Sequence, residues 1–135
     1  MNVYINLPVA DLARTRAFFA ALGFGFDDRF SDDTAIAMRI GEGATAMLLT
    51  HAKFAAFTPR RIADATATTE VLTAVQLDSR AAVDAMVEAA RAHGGAEVRE
   101  AEDHGFMYGR AFSDPDGHTW EPFWMDTSRL PARAA

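Results

Sequence analysis

The sequence contains no cysteine, which excludes disulfide bonds, thiolate metal sites and a cysteine nucleophile. It has no apolar run near the roughly 20 residues of a membrane-spanning helix, and its N-terminus lacks the basic and apolar regions of an export signal. Basic residues are scarce as well, because 13 Lys and Arg against 19 Asp and Glu leave a net charge of -6, which argues against a nucleic-acid partner. We therefore expect a cytoplasmic protein, with no membrane or nucleic-acid partner, that meets small molecules or other proteins.

What is present is a chain of 135 residues, half of them hydrophobic, which suits one globular domain over residues 1–135. The signals for strands and helices occur twice in the same order, about 70 residues apart. We interpret them as a duplicated βαβββ module, at about 3–50 and 70–126, with a tail at 127–135. The alternative is a coincidence between βα units, which are common.

Each module is predicted from its own periodicity and punctuation. Asp11 and Ser79 are placed to cap the two helices, and Gly23 and Gly94 to end them. The predicted strands and helices lie at 3–9, 12–22, 24–26, 34–40 and 45–50 in the first module, and at 71–77, 80–93, 96–99, 106–113 and 118–125 in the second.

Residues 51–69 interrupt the repeat and are too many for a plain turn. Three apolar side chains, Phe54, Phe57 and Ile62, are interspersed there with Pro59 and basic residues. A disordered linker would not usually contain two phenylalanines. We therefore expect either a lid over a cavity or a contact in a dimer, and we favour the lid.

The most informative turn is Asp-Pro-Asp-Gly at 114–117, in which proline presets φ and glycine accepts a positive φ. A four-residue loop there places Ser113 opposite His118, and hence Arg110 opposite Glu121. The same face then receives Phe106, Tyr108, Phe112, Thr119, Phe123 and Met125. A carboxylate, a guanidinium and a phenol among aromatic rings suit the lining of a ligand cavity. The alternative is a cross-strand ion pair with a purely structural role.

The histidines offer no local metal motif, since none of the four is spaced like a pair of ligands on one element. His104 precedes the strand that carries Tyr108 and Arg110. From that position we expect it to reach the mouth of the predicted cavity.

Two stretches of the chain resemble a known family. Leu7-Pro8-Val9-Ala10-Asp11-Leu12, followed by Phe18-Phe19 and Ala21-Leu22-Gly23-Phe24, resembles the opening of the vicinal oxygen chelate superfamily, and the segment 108–121 resembles its last hairpin. That superfamily includes glyoxalase I, extradiol dioxygenases, fosfomycin-modifying enzymes and bleomycin-resistance proteins. The resemblance implies an α+β fold of two tandem βαβββ modules, whose mostly antiparallel strands curl into an open cup with helices on the outer face. It also implies that a homodimer often completes the cup.

The resemblance further implies four metal-ligand positions on the cup. They fall on Tyr4, on or near Leu48, on or near Leu72, and on Glu121. Only Glu121 keeps a ligand residue, since leucine cannot coordinate a divalent ion. We therefore expect no cofactor, with Glu121 as the single candidate for a metal ligand.

Strand parity lines the cup with Tyr4, Asn6, Leu48, Leu72, Gln76, Tyr108, Arg110, Glu121 and Phe123. Such a lining suits a small organic molecule with an anionic or polar end. The residues expected to bind it are Tyr4, Asn6, Gln76, His104, Arg110 and Phe123.

Three functions remain open on this basis. The first is a metal-independent binding protein of the bleomycin-resistance kind. The second is a metal-dependent lyase or dioxygenase of the glyoxalase I or extradiol type, with Glu121 and Tyr108 as acid/base residues and His104 entering on closure. The third is a non-catalytic dimeric domain whose cavity is closed by Leu48, Leu72 and Phe123.

Overall fold

A computed structural model describes residues 1–130 of the chain and shows two four-stranded mixed sheets with three α-helices. The first module consists of β1 (Val3–Val9), α1 (Leu12–Ala21), β2 (Gly25–Asp27), β3 (Ala35–Gly41) and β4 (Ala44–Thr50). Residues 51–69 form the linker between the modules, and a short helix α2 (His51–Ala55) begins it. The second module consists of β5 (Leu72–Gln76), α3 (Arg80–Ala92), β6 (Ala96–Asp103), β7 (Met107–Ser113) and β8 (Thr119–Met125). The predicted tail begins with a 3-10 turn at Thr127–Arg129, and residues 131–135 lie outside the described part.

The two sheets have the same topology, which confirms the α+β fold with repeated βαβββ order. Their strand orders are β1-β4-β3-β2 and β5-β8-β7-β6. In each, the first strand of the module pairs in parallel with the last, and the other pairs are antiparallel. Strands β1 and β5 are therefore edge strands. Among residues 1–130, no helix is long and apolar enough to cross a membrane.

Both long helices begin where the sequence predicts, because a polar side chain satisfies an unpaired amide at each start. The Asp11 carboxylate accepts from the amide of Arg14 at 3.1 Å, and the Ser79 hydroxyl accepts from the amide of Ala82 at 3.0 Å. The structure departs from prediction after these elements. Strand β6 extends to Asp103, and α2 forms within a segment for which no helix is predicted.

One hydrophobic core joins the two modules. Phe19 on α1 contacts Trp120 on β8 with ring centroids 5.1 Å apart, and Phe18 contacts Phe112 on β7 at 6.1 Å. The first helix thus packs on the second module. Leu48 is fully buried in this core, so its predicted place in the cup is wrong.

The position of Leu48 follows from its strand pairing. It lies beside Leu7 on one side and Ile36 on the other, and both are core residues. Side chains alternate between the two faces of a strand. Tyr4 and Asn6 therefore project from the opposite face of the first sheet, and both are exposed.

Candidate functional site

The loop between β7 and β8 holds five residues instead of the predicted four. Ser113 pairs with Thr119, and the amide of Asp114 donates to the carbonyl of His118 at 2.9 Å. The buried Asp114 carboxylate accepts from the amide of His118 at 3.0 Å and from the indole Nε1 of Trp120 at 3.1 Å. Burial raises the pKa of this carboxyl. These bonds draw His118 into the loop.

The longer loop turns the side chains of β7 to the other face, because a register change of one residue reverses every side chain of a strand. The predicted opposition of Arg110 to Glu121 is therefore wrong. Tyr108 does not lie opposite Phe123 either, and Gly109 takes that place. We call the face of the hairpin that is turned away from α3 (Arg80–Ala92) the open face. It contains Glu121 and Phe123, as predicted, but not the guanidinium of Arg110 or the phenol of Tyr108.

Arg110 instead fastens α3 to the second sheet. Its guanidinium lies 2.9 Å from Asp84 and 3.0 Å from Glu88, both on α3, and it also pairs with Glu97 on β6. The side chain is only 11% exposed. Burial alone would lower the Arg110 pKa, but hydrogen bonds to the three carboxylates outweigh it and raise the pKa. These ion pairs explain the position of the Arg110 side chain without a bound ligand.

Tyr108 belongs to the same helix-facing cluster. Its hydroxyl donates to Asp84 at 2.7 Å, and this hydrogen bond raises the Tyr108 pKa. The Arg80 guanidinium lies 5.0 Å from the centre of the phenol ring. The structure therefore does not bring Tyr108 together with Glu121, and it holds the phenol in its protonated form.

Glu121 has a different cationic partner, Arg99 on β6. The Arg99 Nη2 atom donates to Glu121 Oε2 at 2.7 Å, and the Glu121 side chain is 21% exposed. Irregular pairing in β6 places Arg99 opposite Ala111, whereas Glu97 lies opposite Phe112. Because a β-bulge inserts one residue, it reverses the alternation and turns Arg99 to the open face. The sequence contains no signal for this bulge, so Arg99 is not among the site residues predicted from the sequence.

Two further charged or titratable side chains, Glu102 and His104, lie next to the pair of Arg99 and Glu121. Arg99 Nη1 lies 3.5 Å from Glu102 Oε1, and His104 Nε2 lies 3.6 Å from Glu102 Oε2. Within residues 1–130, Arg99 Nη1 is a buried atom with no hydrogen bond, since the contact with Glu102 does not form one. His104 thus lies at the far end of this group of side chains and reaches Glu121 only through Arg99 and Glu102.

The other predicted site residues divide between the two sheets. Gln76 lies opposite Phe123 and Ala74 lies opposite Glu121, so these residues share the open face of the second sheet. Tyr4 and Asn6 lie opposite Thr45 and Met47 on the first sheet. Leu72 and Tyr4 are 58% and 59% exposed, so neither closes a cavity within residues 1–130.

The side chains at the four metal positions do not fit a divalent ion. Tyr4 and Glu121 lie on different sheets, Leu48 is in the core, and Leu72 has no donor atom. The described residues contain no group of three or more His, Asp or Glu side chains that could hold a metal. Glu121 itself is ion-paired with Arg99.

The chain is similar in sequence and in fold to known proteins. The model of the glyoxalase/bleomycin resistance protein/dioxygenase superfamily matches residues 3–121. A hypothetical protein from S. aureus is 28% identical, with 92% of this chain and 93% of that chain covered and a TM-score of 0.79. No curated protein matches.

Two further solved structures are less similar in sequence and share the fold. A fosfomycin resistance protein from Mesorhizobium loti is 16% identical over 97% of this chain and 98% of that one, with a TM-score of 0.68. The bleomycin resistance determinant encoded on transposon Tn5 is 20% identical over 93% and 98% of the two chains, with a TM-score of 0.62. The family match covers most of the chain and confirms the resemblance in its two modules. The chain therefore belongs to the glyoxalase/bleomycin resistance protein/dioxygenase superfamily.

Proposed function

We propose that this protein binds a small organic molecule on the open face of its second sheet, without a divalent metal at Glu121. The observation that carries the proposal is the pairing of Glu121 with Arg99 at 2.7 Å. A guanidinium that donates to one carboxylate oxygen balances the charge of that carboxylate and competes with a metal ion for it. The same guanidinium offers a ligand a fixed hydrogen-bond donor.

The surroundings of this pair favour ligand binding. Ligand sites are mostly apolar with a few oriented polar groups. Phe123 and Leu72 supply apolar surface on this face, and Gln76 adds an amide opposite Phe123. Arg99 Nη1 is buried and makes no hydrogen bond within the described residues, so a ligand acceptor would satisfy it once the neighbouring side chains move aside.

Local charge favours a neutral acceptor over an anion. The single positive charge of Arg99 faces two carboxylates, Glu121 and Glu102, at 2.7 and 3.5 Å. An added ligand carboxylate would meet a surplus of negative charge. We therefore infer a ligand with an apolar body and a carbonyl, amide or similar neutral acceptor.

A second copy of the chain is the inferred partner in solution. Leu72, Val98 and Tyr4 are large side chains on strands and are 49–59% exposed. They lie on strands of both sheets, so the apolar surface that they offer a partner is divided between the two modules. A homodimer would cover it and close the ligand site. The metal-dependent lyase or dioxygenase reading lacks a ligand set among the described side chains.

The test uses a panel of uncharged aromatic ketones and amides beside matched aromatic carboxylates, screened by ligand-observed NMR. We expect saturable binding of neutral members and at least about tenfold weaker binding to Arg99→Met. Arg91→Met is the matched control, because Arg91 forms an exposed ion pair on α3. Binding that survives Arg99→Met unchanged, or that prefers carboxylates, would refute the proposal.

A further inference from the structure

A cavity that neither Glu121 nor Arg99 lines lies beneath the linker. Its volume is about 180 Å³. Three consecutive residues of β1, Asn6 to Pro8, line it. Successive side chains of a strand point to opposite faces, so the cavity meets the free edge of β1 and not one face of the sheet. Phe54 and Ile62 of the linker form the facing wall.

The linker rests directly on the turn between β7 and β8. A Cβ atom added at Gly117 would lie 2.8 Å from both the carbonyl carbon and the carbonyl oxygen of Ala65. The φ angle of Gly117 is +91°, so glycine is required here for conformation and for close approach. His118 Nε2 lies 2.7 Å from the carbonyl oxygen of Pro8 and ties the same turn to β1. The turn thus contacts both the linker and β1, which form the two walls of the cavity.

Size and polarity define what the cavity would hold. An apolar cavity of about 150 Å³ accepts benzene, whereas drug-sized ligands need roughly 300 Å³ or more. The apolar lining includes Phe54, Ile62 and Val71. Its polar lining residues other than Glu70 are Asn6, Thr68, Thr69, Thr73, His118 and Thr119. Glu70 is the one carboxylate among the described lining residues, and it would repel an anion.

We propose that this cavity is a binding site for a small neutral aromatic molecule of the phenol class, held between the edge of β1 and the linker. The ring contacts Phe54 and Ile62, and the hydroxyl meets the threonine and asparagine side chains. The site is independent of Glu121 and Arg99, neither of which lines it. Binding in this cavity can therefore be tested separately from binding on the open face.

The first test titrates 4-fluorophenol and 4-fluorobenzoate against the intact protein and follows the fluorine NMR signal. We expect saturable binding of the phenol and at least about tenfold weaker binding of the benzoate. Phe54→Ala should weaken phenol binding about tenfold or more. Phe57→Ala is the matched control, because Phe57 lies in the same linker, is 65% exposed and is not a lining residue.

A second pair of variants tests the contact between Gly117 and Ala65 of the linker. Gly117→Ala adds both backbone strain and a clash with the linker, whereas Gly23→Ala adds strain at φ +95° with no atom within 4 Å. We expect phenol affinity to fall in the first variant only, with both variants folded by circular dichroism. Absence of saturable phenol binding would overturn the proposal, as would equal effects of Phe54→Ala and Phe57→Ala. Arg99→Met should leave phenol binding unchanged, and a loss there would also overturn it.

Discussion

Replacing Arg110 by methionine should destabilise the protein without weakening ligand binding on the open face. The Arg110 side chain is 11% exposed and pairs with Asp84, Glu88 and Glu97. Methionine preserves much of the apolar stem but removes the charge. Three carboxylates then remain close together with no cation between them.

The size of the effect follows from burial. Removing one partner of a fully buried pair costs about 3–5 kcal/mol, but two of the three carboxylates are about half exposed, and solvent screens them. We therefore expect a loss of about 2 kcal/mol in the free energy of unfolding. For a chain of this size, that corresponds to a fall of about 8 °C in Tm. Arg99→Met should cost about 1 kcal/mol or less, because Arg99 is 36% exposed.

The assay is urea unfolding of both variants, with Arg91→Met as the control for loss of an exposed arginine. The register of the last hairpin predicts that Arg110→Met is the least stable of the three. The reasoning is refuted if Arg99→Met is destabilised more than Arg110→Met. It is equally refuted if Arg110→Met keeps its stability and loses the ligand that binds on the open face.

Two further predictions concern other ion pairs and hydrogen bonds. Asp116→Ala should lower the free energy of unfolding by about 1–3 kcal/mol in urea titrations. The Asp116 side chain is 8% exposed and accepts hydrogen bonds from the amide of Ala10 and the hydroxyl of Thr15. An unchanged unfolding midpoint would contradict this link between the modules. Hydrogen bonding to Arg80 lowers the pKa of Asp103 to about 2, so its stabilising effect is complete above its ordinary pKa and disappears as the pH falls toward 2. Asp103→Asn should therefore be less stable than the unaltered protein at pH 6, and this difference should shrink as the pH falls through about 2. A difference that grows in acid would contradict the sign.

Much of the fold can be predicted from the sequence because its determinants are local. Asp11 and Ser79 cap helices through hydrogen bonds to amides three residues away. The order of strands and helices follows from the periodicity of apolar residues within each module. The pairing of β1 with β4 recurs in the second module as the pairing of β5 with β8, as a duplicated module requires.

The site is less predictable because it depends on two changes of strand register. Asp114 extends the last loop through bonds to the indole of Trp120 and the amide of His118, and this moves Arg110 to the helix side. A bulge in β6 then brings Arg99 to the open face. Both changes depend on tertiary contacts. Counting the alternation of side chains from the turn therefore places Glu121 correctly but pairs it with Arg110 instead of Arg99.

We infer that Glu121 holds Arg99 in place for a ligand and does not hold a metal ion. The most direct measurement is elemental mass spectrometry of untagged protein after incubation with manganese, iron, nickel and zinc, followed by dialysis. The pairing of Glu121 with Arg99 predicts metal well below one equivalent per chain, in the unaltered protein and in Glu121→Gln alike. Near-stoichiometric metal in the unaltered protein that is lost in Glu121→Gln would contradict the claim and favour a metal-dependent lyase or dioxygenase.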